Sequence, residues 1–225
     1  MIKINLIWAI CLIAVFVGFI GFITFGYIST KKDNEKYSVL RHFPYELNKS
    51  PVSKIFSYLF GAFGFVPLLV VLPLFTDFGD LAVYSIFIVS VIGLSTLCAA
   101  AILNLPAKYT KPHITLATVL MAVAFLSAAL VMMYSILVAR LAIRFNQVGG
   151  FHIAIAALAG LLAILMVVVM FSPKLKDWAK LSEDIQGDQK IYSRGKFFPL
   201  AYSEWIAIGV ILLSEILFLI SILSI

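Results

Sequence analysis

The sequence predicts an all-α fold: one domain, residues 1–225, built as a polytopic membrane bundle of six transmembrane helices. Three observations predict it. The chain is 63% hydrophobic, with a mean hydropathy of +1.08. Only 12% of its residues are charged, against roughly 25% in soluble domains, so a soluble fold would leave much apolar surface in water. The apolar residues also gather into six runs, each near the roughly 20 residues that cross the hydrocarbon core of a bilayer. The chain is therefore a multi-pass integral membrane protein.

The runs place spans at about 4–29, 55–75, 81–103, 114–138, 151–171 and 205–225. The first is too long for a signal-peptide core of about 7–15 residues and is expected to stay attached as a span. Its Gly18 and Gly21 offer a close-packing face. The second carries Gly61, Gly64 and then Pro67, where a kink is expected. His113 opens the fourth, whose helix continues past the bilayer through Arg140 and Arg144, four apart and on one face. The fifth holds Ala156/Gly160 and Ala159/Ala163 at helix-contact spacing. Before the sixth, Leu175, Trp178 and Leu181 recur every three residues among lysines, which predicts a short interfacial helix over 174–182. Cys11 and Cys98 fall at different depths and read as packing residues, with neither disulfide nor metal-ligand spacing.

Six spans alternate sides, so the loops after spans one, three and five share one membrane face. Those loops hold six, two and six of the chain's 17 Lys and Arg residues; Lys3, Arg140 and Arg144 make up the remainder. The positive-inside rule places the basic loops in the cytoplasm and both termini outside. The net charge of +6 reads as attraction to anionic lipid head groups, not to nucleic acid.

The same alternation brings His42, Tyr45, Glu46, His113, Glu204 and Trp205 toward one end of the bundle. Two imidazoles and two carboxylates are the ingredients of an acid–base pair or a small divalent-metal site, although no local metal motif such as HExxH is present. A structural reading stands beside it: His113 and Glu204 cap the starts of their helices and Trp205 is an interfacial belt residue. Glu215, near mid-bilayer, costs roughly 2.5–3.5 kcal/mol on insertion scales, and it is expected to face the bundle interior. Proton relay, cation contact and hydrogen bonding to Ser90, Ser95, Thr96 or Ser127 are its candidate roles. His152 is expected in a surface ion-pair cluster with Arg140, Arg144, Asp77 and Asp80. Asn48-Lys49-Ser50 matches a glycosylation acceptor, weakened by the adjacent Pro51. No P-loop, dinucleotide turn, nucleophile elbow or Arg-rich span appears.

Pro44-Tyr45 with Pro51 and a Phe-rich second span, His113 at the head of the fourth, and Glu204-Trp205 at the head of the sixth resemble the DRAM/Frag/Sfk family of six-span membrane proteins. The resemblance implies a lipid-linked role, such as membrane-lipid organisation, lipid-anchor remodelling or autophagy-related membrane regulation, with no defined catalytic mechanism. It also implies both termini in the cytoplasm, opposite to the charge count.

The preferred functional reading is a non-enzymatic membrane protein that binds or organises lipids or other membrane proteins, with no cofactor. His42, Tyr45, Glu46, His113, Glu204 and Trp205 form its binding rim, and Glu215 a further contact. Two alternatives are an intramembrane lipid-modifying enzyme using His113 and Glu204, and a small transporter or channel centred on Glu215.

Overall fold

A computed structural model describes residues 2–32, 36–71, 79–107, 109–144, 149–177, 182–186, 189–193 and 197–223. The protein is an all-α bundle of six long helices: α1 (Ile2–Lys32), α2 (Pro51–Val71), α3 (Gly79–Asn104), α4 (Thr110–Arg144), α5 (Gly150–Met170) and α6 (Pro199–Leu223). Five of them, α1, α3, α4, α5 and α6, are long and apolar enough to cross a membrane; the apolar stretch recognised in α2, Pro51–Val66, is shorter.

Local sequence explains where several helices start. Ser50 caps α2: its Oγ accepts from the Ser53 amide at 3.0 Å, and Ser53 Oγ accepts from the Ser50 amide at 3.2 Å. This is a capping box with serine in the position usually held by Glu or Gln. Pro51 follows at the first helical position, where a missing N–H costs nothing. Pro199 opens α6 in the same way, so that helix begins six residues before the expected 205, and Glu204 and Trp205 lie in its second turn. Pro112 sits in the first turn of α4, with His113 beside it. The capping role expected of Glu204 therefore fails, because that residue has a full helical turn before it.

The segment expected as an interfacial helix over 174–182 takes another form. Its described part is a 3-10 turn, Pro173–Asp177, and Ser182 already belongs to a strand. A three-residue recurrence matches the 3.0-residue period of a 3-10 turn better than the 3.6 of an α-helix; Trp178 and Leu181 lie outside the described residues. Two short strands, β1 (Ser182–Gln186) and β2 (Gln189–Ser193), then pair antiparallel, with Ser182 opposite Ser193 and Gln186 opposite Gln189.

Sequential helices pack side by side, α1 with α2, α2 with α3, α3 with α4 and α4 with α5, while α6 touches α1, α3, α4 and α5. The last helix is thus central. The larger apolar cluster surrounds Phe22, Phe60, Leu103, Leu120 and Ile208, and the second surrounds Ile92, Tyr134 and Phe218. Large apolar side chains such as Ile13, Val17, Leu161, Ile164 and Val168 are exposed on α1 and α5, the surface a bilayer would cover.

Candidate functional site: a buried polar rim at one end of the bundle

The first loop folds back onto the helix ends. The amides of Arg41 and His42 both donate to the Ser38 carbonyl, at 3.0 and 2.8 Å. A 3-10 turn, Pro44–Leu47, then buries Phe43, Pro44 and Leu47. Gly26 of α1 provides its floor: a Cβ there would stand 2.5 Å from the Leu47 carbonyl oxygen, so only glycine admits the turn this close. Asn48 Nδ2 ties the loop to α3, donating to the Leu103 carbonyl at 3.0 Å and to Asn104 Oδ1 at 2.7 Å. Asn104 Nδ2 donates onward to Ser57 Oγ at 3.0 Å, joining α2. The expected glycosylation acceptor is thus a half-buried hydrogen-bonding residue, and a glycan would break both of its contacts.

The loop is also fastened to α6. The Phe198 amide donates to the Leu40 carbonyl at 2.7 Å. Trp205 Nε1 lies 3.2 Å from both the Tyr37 hydroxyl and the His42 carbonyl. Tyr37 in turn donates to the Phe43 carbonyl at 2.9 Å.

Beneath this cover lies the central pair. His113 Nε2 stands 2.9 Å from Glu204 Oε1, and the two side chains are only 2% and 0% exposed. His113 Nδ1 lies 2.8 Å from the Leu105 carbonyl. A carbonyl only accepts, so Nδ1 carries hydrogen and Nε2 is left to face the acid. The approach to Glu204 is not in line, and neither carboxyl oxygen makes a straight hydrogen bond among the described residues. Phe43 and Tyr45 set their rings edge-on to the imidazole, with centroids at 5.0 and 5.5 Å, and Phe43 also meets Phe198 at 5.4 Å. The Tyr45 hydroxyl donates to Glu46 Oε1 at 3.4 Å, and Glu46 lies within electrostatic reach of His113.

The structure thus gathers His113, Glu204, Tyr45 and Glu46 into one cluster and places Trp205 beside it as a fastener. His42 turns away: its Nδ1 accepts from the Ser38 amide at 3.0 Å, and its ring stacks on Tyr37 at 5.1 Å. Among the described residues no group of three or more His, Cys, Asp or Glu side chains could hold a metal ion. The aromatic first-loop segment 41–48 marks itself in the sequence as one that packs on the bundle, while Tyr37, Phe198 and the Asn48–Asn104 tie are working parts that the sequence does not single out. Tyr37 stands alone among charged residues, a signal that was available; the others depend on tertiary contact.

Glu215 lies farther along α6 and points into the bundle at 3% exposure. Thr96 Oγ1 of α3 donates to its Oε1 at 2.5 Å, while Oε2 has no hydrogen-bond partner among the described residues. Gly64 of α2 lies against the Thr96 side chain, leaving no space for a Cβ. The other candidate donors go elsewhere, Ser95 pairing with Ser127 at 2.9 Å and Ser90 bonding back to the Ile86 carbonyl at 2.8 Å.

His152 corrects the sequence expectation. It is buried at 5% exposure with its ring against Phe151 at 5.8 Å, not on a charged surface, because the face of α5 that carries it turns inward. Asp77 and the side chains of Asp80 and Arg144 lie outside the described residues. Cys11 and Cys98 are free thiols on separate helices. Compared with known protein families, with curated proteins and with solved structures, the chain finds no match in any of the three.

Proposed function

We propose that this chain is a non-enzymatic, lipid-linked membrane protein that organises its surroundings by binding lipids or neighbouring membrane proteins. The observation that carries this reading is the sealing of the one buried histidine–carboxylate pair among the described residues. His113 and Glu204 are closed off by Phe43, Tyr45 and Phe198, and a general acid or base must come within hydrogen-bond reach of a reacting atom. The remaining rim groups hold the first loop to α6, which makes a shaped, rigid end instead of an open cleft. In this reading α2 completes a six-span bundle, since its 21 residues rise about 31 Å, matching a hydrocarbon core of about 30 Å. The lipid-linked character agrees with the six-span family that the sequence resembles.

Reconstitution tests it. The protein is placed in sealed vesicles of mixed phospholipids, and lipid products and ion flux are followed over hours beside the His113→Gln and Glu204→Gln variants. The expected result is no lipid turnover and no flux in any of them. Product formation that disappears in both variants would make the protein an enzyme. Flux that disappears in Glu215→Gln would make it a transporter. Orientation is read separately by placing cysteine at exposed Lys49 in a chain lacking Cys11 and Cys98 and labelling with an impermeant thiol reagent.

A further inference from the structure

A groove of about 550 Å³ runs between α1 and α6 just below the first loop. Phe19 and Ile23 form one wall, Trp205 and Gly209 the other, and Tyr37 and Val39 lie at the loop end. Its lining is mostly apolar, and a Cβ added at Gly209 meets nothing within 4 Å, so the missing side chain opens onto empty space. A helix with its side chains is 10–12 Å across and rises 5.4 Å per turn, so one turn fills roughly 500 Å³. The groove therefore has room for about one helical turn, too little to seat a partner helix; its size falls in the roughly 300–1,000 Å³ range of small-molecule sites. At this depth in a bilayer the apolar molecules available are acyl chains. The loop that lines one end also carries two cations next in sequence to lining residues: exposed Lys36 precedes Tyr37, and exposed Arg41 lies two residues beyond Val39.

We propose that the α1–α6 groove seats one acyl chain of an anionic phospholipid from the surrounding leaflet, with its phosphate between Lys36 and Arg41. The assignment rests on the lipid-linked reading above and gives it a site. Trp205 closes the side of the groove while its Nε1 holds Tyr37 and the His42 carbonyl, so chain occupancy and the fastening of the first loop meet at one indole.

The test uses the full chain in nanodiscs with Trp8 and Trp178 replaced by Phe, which leaves Trp205 as the only indole. Lipid with brominated acyl chains, carrying either phosphatidylglycerol or phosphatidylcholine head groups, is titrated in, and Trp205 quenching is recorded. A basic residue near an anionic surface contributes about 1 kcal/mol, about fivefold in affinity. The expected result is quenching at several-fold lower phosphatidylglycerol than phosphatidylcholine, lost in Gly209→Leu, which fills the groove. Lys36→Gln and Arg41→Gln should each remove up to about fivefold of the head-group preference while leaving phosphatidylcholine quenching unchanged. Equal quenching by both lipids overturns the anionic preference. A preference that survives Gly209→Leu, in a variant whose thermal unfolding matches the parent, moves the lipid to another surface and leaves the lipid-linked reading intact. Lipid turnover in the vesicle assay would defeat that reading whatever the groove does.

Discussion

Two buried carboxylates lie on α6, eleven residues and about three helical turns apart, so they share one face of the helix. The surroundings answer them differently. Glu204, near the loop end, meets a ring that can carry charge, His113, under an aromatic lid. Glu215, deeper in the bundle, meets only the Thr96 hydroxyl and carries an oxygen that bonds to nothing described. A charged partner can reach the first position because helix ends and loops deliver one there. At the second, the Thr96 hydroxyl is the one hydrogen-bond partner among the described residues.

The comparison is most easily broken at His113. His113→Ala leaves a buried acid with no partner and should cost about 3–5 kcal/mol, read as a drop in unfolding temperature in a defined detergent. Replacing both members, as His113→Leu with Glu204→Leu, should restore part of that loss, because a buried pair exchanged for apolar side chains is often neutral. If the double variant is worse than the sum of His113→Leu and Glu204→Leu measured alone, the pair is not the isolated unit described here.

Next in size is Gly64→Val, which drives a side chain into Thr96 and should cost about 1–3 kcal/mol by overpacking. Thr96→Val tests the same contact by chemistry, leaving Glu215 without its donor at about 1–3 kcal/mol. Glu215→Gln keeps an acceptor for Thr96 and should fall within about 1 kcal/mol of the parent. A large loss there would show that the charge state of Glu215, and not the hydrogen bond alone, holds the mid-bundle. The smallest effect is expected from Trp205→Phe, which gives up the indole N–H to Tyr37 and His42 for about 1 kcal/mol, measured as faster protease cleavage of the first loop.

What was legible in the sequence follows from range. The helices follow from runs of apolar residues, a local signal, and the inward direction of Glu215 follows from the cost of pointing it at lipid. The helix α6 begins at Pro199 and not at the expected 205, because proline favours the first helical position while the apolar run alone marks only the later residues. The meeting of loops one, three and five came from alternation alone. Which histidine would find Glu204 could not, since His42 and His113 are equivalent to that rule; the local hydrogen bond to Ser38 decides it by holding His42 in its own loop. His152 shows the converse error, a residue judged by charged neighbours in sequence when the face of its helix turns it inward.

The fastening of the first loop to α6 also sets an order of events during synthesis. A ribosome adds about 5–20 residues per second, so Glu204 emerges roughly 5–18 seconds after His113. Through that interval the aromatic lid has no Phe198 to close on, Tyr37 has no indole, and the imidazole has no acid. A chain halted after α5 leaves the first loop without Phe198, Glu204 and Trp205 to pack against. The arrival of α6 therefore supplies the closing parts together: the acid for His113, the ring that meets Phe43 and the indole that meets Tyr37.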